Sequence, residues 1–80
     1  MNDSEILHNI TKLVDEEHQL LKAGERGGLG ETDDARLKSL QVQLDQCWDL
    51  LRQRRARREF GENPNEAKVR DASTVERYQQ

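Results

Sequence analysis

The chain has 80 residues, 36% charged and 32% hydrophobic, with a net charge of −3. That length holds one small domain at most, and the single cysteine excludes an internal disulfide and suits a reducing compartment. No apolar run approaches the roughly 20 residues of a membrane span. The acidic start Met1-Asn2-Asp3-Ser4-Glu5 lacks the basic and apolar parts of a signal peptide, so a soluble cytoplasmic protein is expected.

Leu, Ile, Val and Phe make up 17 residues, near the composition at which chains stop folding. Fourteen of them lie in two windows, residues 6–21 and 37–60, where helices would use them. The first window predicts a helix over about 4–23, capped by Asp3 or Ser4, with Glu5 in the positive first turn. Its apolar residues, Ile6, Leu7, Ile10, Leu13, Val14, Leu20 and Leu21, form a stripe too wide for one neighbour. Residues 24–31 follow, with four glycines in seven positions; they read as a loop in which Gly24 takes a left-handed C-cap.

The second helix is expected over about 33–60, with Thr32 as N-cap and Asp33 and Asp34 in the first turn. Leu37, Leu40, Leu44, Cys47 and Leu51 repeat at steps of three and four, and the same register continues into Arg54 and Arg58. A short connection makes the helices antiparallel neighbours, with Ile6 level with Leu51 and Asp3 near Arg54. Residues 61–80 read as a tail carrying two weak helix starts. One is Asn63-Pro64-Asn65-Glu66, with cap, first-turn proline and third-position glutamate; the other is Ser73-Thr74-Val75-Glu76, before Tyr78. Either orders only by packing on something.

The fold expected over residues 1–60 is therefore all-α, a coiled-coil-like antiparallel hairpin. A lone hairpin has no second face to bury, so self-association into a four-helix bundle is expected, with a homodimer favoured. The residues assigned to that association are Leu37, Leu40, Leu44, Cys47, Trp48 and Leu51 on the second helix, and Ile6, Ile10, Leu13 and Val14 on the first. Trp48 is the side chain whose truncation should cost most, about 3–5 kcal/mol if it is buried.

Arg52, Arg54, Arg55, Arg57 and Arg58 place five guanidiniums in seven residues, distributed around the helix. Two readings compete. The cluster is a contact for an acidic protein partner, or for the acidic end of a second copy; or it binds the phosphates of a nucleic acid. Residues 1–51 hold five basic and eleven acidic residues, and residues 52–60 hold five basic and one acidic. The hairpin is thus polar along its length, and two copies packed head to tail would be complementary.

No catalytic constellation is present: carboxylates are plentiful, but none accompanies a nucleophile. The glycines precede no Gly-Lys-Ser/Thr phosphate loop, and neither enzyme activity nor a cofactor is expected. His8, His18, Glu17 and Cys47 lack zinc-ligand spacing, and Asp15 with His18 supplies half of a di-metal pattern that the second helix does not complete, so no metal site is expected.

The run from Leu44 to Arg58, Leu-Asp-Gln-Cys-Trp-Asp-Leu-Leu-Arg-Gln-Arg-Arg-Ala-Arg-Arg, resembles a family of small, mostly actinobacterial proteins catalogued as a domain of unknown function. The likeness extends to Ile6, Ile10, Leu13 and Val14, to Glu16-Glu17-His18, and to the tail from Asn63 to Arg70. The resemblance implies a short all-helical protein and no particular activity.

Overall fold

A computed structural model describes residues 2–28 and 30–78, the side chains of Arg77 and Tyr78 excepted. Leu29 of the glycine loop, Tyr78 as a packing residue, and the end of the tail lie outside the described side chains. The described residues are all helical or irregular, with α1 at Asp3–Gly27, α2 at Glu31–Glu59, a 3₁₀ turn at Pro64–Glu66 and α3 at Ala72–Tyr78.

Asn2 caps α1, one residue before the expected position. Its Oδ1 accepts from the Glu5 backbone N–H at 2.9 Å while its own N–H donates to Glu5 Oε1 at 3.4 Å. This capping box satisfies two end groups at once. The helix then runs through Gly24, where a stop was expected. A glycine inside a helix costs only about 1 kcal/mol, and the Glu25-Arg26 pair that follows favours helix. The stop falls at Gly28, whose φ of +77° with ψ of 161° is a conformation open to glycine alone. Its N–H donates to the Gly24 carbonyl at 2.7 Å.

The link between the helices is therefore residues 28–30, much shorter than the expected eight-residue loop. Gly30, in place of Thr32, is the N-cap of α2, without a side-chain cap bond; Glu31, Asp33 and Asp34 supply acidic first-turn charge instead. At its far end, Gly61 takes φ +73° and its N–H donates to the Arg58 carbonyl at 3.2 Å.

With so short a link, α1 and α2 lie side by side in opposite directions. Ile6, Ile10, Leu44 and Leu50 form the main apolar cluster, with Leu13, Val14, Cys47 and Leu51 packed half-buried against it. Leu37 and Leu40 are buried nearer the link. Arg36 pairs with Glu16 across one edge of the helix pair, and Asp3 is held by Arg54 (2.5 Å) and Arg58 (2.8 Å) at the other end.

The tail packs along the back of α2. Gln53 Nε2 donates to the Lys68 carbonyl (2.8 Å), Gln46 Nε2 to the Arg70 carbonyl (3.2 Å), and Arg70 forks onto Asp49. Asn63 caps the 3₁₀ turn as its sequence suggests. The cap of α3 is Asp71, not Ser73: Asp71 Oδ1 accepts from the Thr74 N–H and the Ser73 hydroxyl, both at 2.8 Å. Val75 is then buried at 1% exposure.

The product is a slab. Its extents are 51 × 25 × 16 Å and its radius of gyration is 14.9 Å, against about 12 Å for a globular chain of this length. Two long helices and a strap give it broad faces and little interior.

Candidate interaction surface

The five arginines divide into two groups. Arg54 is buried to 6% exposure and acts as a tie: Nε donates to Asp3, and Nη1 donates to the Pro64 carbonyl and Asn65 Oδ1, each at 3.1 Å. Arg58 shares Asp3, and Arg57 lies 3.6 Å from Glu66 of the 3₁₀ turn. Arg52 and Arg55 are exposed; Arg55 pairs with Glu59, one helical turn on, and Arg52 lies in the field of Asp49. Among the described residues, Arg52 and Arg55 are thus the two arginines of the cluster that no ion pair ties to α1 or the 3₁₀ turn. The seven-residue spacing of α1 and α2 could have signalled this, because Arg54 and Arg58 continue the buried leucine seam and Arg52 and Arg55 do not.

The carboxylates respond to these partners. Hydrogen bonds from Arg54 and Arg58 hold Asp3 below the usual carboxylate range, and Arg70 does the same for Asp49. Glu16 is lowered by its bond to Arg36. Glu76 moves the other way: α3 sets it against Asp45, and the hydrogen bond between the two carboxyl groups raises it.

The apolar residues assigned to self-association also divide. Ile6, Ile10, Leu37, Leu40 and Leu44 are buried within the chain itself, and this corrects the expectation that they face a second copy. The chain's own α1–α2 seam uses them. Leu13, Val14, Cys47 and Leu51 are half-buried, and Trp48 is 43% exposed, so Trp48 is not a mainstay of the isolated fold. Leu7 and Leu21, which the sequence reading placed only in the wide stripe, are 47% and 45% exposed.

Leu7, Val14 and Leu21 recur every seven residues and so share one edge of α1. On α2, Gln46, Asp49 and Gln53 engage the tail from behind, and Arg36 bridges to Glu16 on one side. The helical register puts Trp48 on the opposite side, the same broad face of the slab as Leu7, Val14 and Leu21.

The other broad face carries an open groove of about 400 Å³ between α1, α2 and Val69. Its floor is Ile6, Leu13, Cys47 and Leu50, with Lys12 on the rim. Burial there pushes the Cys47 thiol up, which disfavours the reactive thiolate. Among the described residues, no three His, Cys, Asp or Glu side chains converge as a metal cluster, and no helix is long and apolar enough to cross a membrane.

A family model described as a protein of unknown function (DUF2630) matches residues 2–80. An uncharacterized protein of Mycobacterium bovis, Mb0922c, is 49% identical over 77 residues, which cover 95% of this chain and 88% of its own. The uncharacterized protein Rv0898c of Mycobacterium tuberculosis matches with the same figures. No solved structure matches the chain.

Proposed function

We propose, for a chain that belongs to the DUF2630 family, a non-enzymatic role as a helical hairpin interaction module that self-associates through an apolar face. The observation that carries the reading is the exposure of Leu7, Leu21 and Trp48 at 47, 45 and 43% in a chain with so few apolar residues to spare. A contiguous exposed apolar face rimmed by polar residues is the mark of an association surface. The slab supports the same reading, because one layer of helices buries less apolar surface than a bundle of two layers. A cytoplasmic setting belongs to the proposal.

Light-scattering mass on a sizing column tests it. The wild-type chain should elute as a dimer, and Trp48→Ala should shift it toward monomer while circular dichroism stays helical. A wild-type monomer at about 0.1 mM would refute self-association.

A second reading has its own observation. Arg52 and Arg55 are exposed near Phe60, itself 81% exposed, which offers cations and a stacking ring to a nucleic acid. With two exposed arginines the salt dependence of such binding would be shallow, and the net charge of −3 opposes it. Fluorescence anisotropy with single-stranded RNA and DNA separates the readings, since Arg52→Gln with Arg55→Gln would abolish a signal that Trp48→Ala spares.

A further inference from the structure

We infer that the self-association is a two-fold antiparallel pairing through the face bearing Leu7, Val14, Leu21 and Trp48, with Val14 at the symmetry axis. The inference rests on the proposal that the chain self-associates, and adds which face and which direction.

The face has a defined apolar centre and two charged ends. Leu7 and Leu21 each lie seven residues from Val14, about 10 Å along the helix in either direction. Asp3 beside Arg54 and Arg58, and Glu16 beside Arg36, fix the level of α2 against α1. Arg52 and Arg55 therefore lie on this face beyond Leu7. Glu25 and Asp34 lie on it beyond Leu21, toward the link, whereas Glu31, five full turns before Asp49, lies on the back of α2.

A closed dimer needs a self-complementary patch. A two-fold axis across the helices at Val14 provides it. It sets Leu7 of one copy on the partner's Leu21, brings the two Val14 side chains together, and lays the two Trp48 rings over the facing second helices. The same operation brings Arg52 level with the partner's Asp34 and turns Arg55 toward the same acidic end. Among the described residues Arg55 pairs with Glu59 and Asp34 with Lys38, each one turn away and exposed, so re-pairing sacrifices little. An axis parallel to the helices would instead gather the acidic ends of both copies at one end of the bundle. Like charges juxtaposed in that way oppose association.

Cysteine cross-linking in a Cys47→Ala background reads the arrangement directly. Val14→Cys should cross-link to itself under mild oxidation. Leu7→Cys and Leu21→Cys should each stay uncross-linked alone and form a covalent dimer when mixed. Arg52→Glu should weaken the dimer on the order of tenfold at low salt, and Asp34→Arg added to it should restore the wild-type affinity. A dimer by light scattering in which Leu7→Cys cross-links to itself, or Val14→Cys does not, overturns the arrangement and leaves self-association standing. A monomeric wild type overturns both.

Discussion

Arg70 closes both arms of its guanidinium on the carboxylate of Asp49, a group only 2% exposed on the back of α2. The pair joins the irregular strand before α3 to the middle of the longest helix, and Gln53 donates to the same carboxylate at 2.9 Å. A buried charge is tolerated only when paired and hydrogen-bonded, so Asp49 depends on the tail as much as the tail depends on it. Asp49→Asn should cost about 1.5–3 kcal/mol, the range for hydrogen bonds to charged groups. Amide hydrogen exchange should show the loss concentrated in α3 and around Val75, with the α1–α2 seam little changed. Uniform loss of protection across the chain would show that the tail and the helix pair unfold as one unit.

Arg54 and Arg55 are neighbours in sequence with opposite roles. Arg54→Gln removes the donors to Asp3, Pro64 and Asn65 from a buried position and should lower stability by about 2 kcal/mol in thermal or urea unfolding. Arg55→Gln removes one exposed i,i+4 pair and should change it by less than about 0.5 kcal/mol. Equal effects would mean that the cluster acts by bulk charge.

Periodicity made the helices legible, because Ile6, Ile10, Leu37, Leu40 and Leu44 repeat as only a buried helical seam repeats. It also put Asp3 near Arg54, since a short link leaves one antiparallel register. Helix ends were harder to place. Gly24 and Gly28 look alike in the sequence, and only the left-over chain length between two packed helices decides which one turns. The tail was least legible. Arg70, Lys68 and Val75 carry no periodic signal; the first two matter because Arg70 meets Asp49 and Gln46, and Lys68 meets Gln53, across 15 to 24 residues of chain. The same limit applies to the candidate surface. A stripe containing Ile6, Leu7, Ile10 and Val14 shows that two faces are apolar, not which of them the chain covers itself.

Opposed carboxylate shifts give the tail a two-sided pH response. Asp49, lowered by Arg70, contributes stability that is present above its unfolded value near 3.8 and lost as pH falls through its folded value. Glu76, raised by Asp45, favours the folded chain while protonated and ceases to do so as pH rises through the window above 4.5. Glu76→Gln should therefore be more stable than wild type at pH 7, and the advantage should vanish on acidification below the wild-type titration. Melting temperatures of both proteins across pH 3–8 test this; a constant offset at every pH would assign the effect to helix propensity instead of charge.

The link between α1 and α2 offers a paired test of backbone conformation. Gly27 and Gly28 are adjacent, and at either position an added Cβ would meet open space. They differ in backbone alone: Gly28 has φ +77°, and Gly27 ends α1. Gly27→Ala should stabilise by about 0.5–1 kcal/mol, because alanine is the better helix former and restricts the unfolded chain. Gly28→Ala should destabilise by about 1–3 kcal/mol, since a side chain is strained in that region whatever the space around it. Urea midpoints that move in opposite directions would establish the link as a tight turn fixed by one glycine. Midpoints that both rise would mean that Gly28 can join the helix, and that the turn shifts toward Gly30.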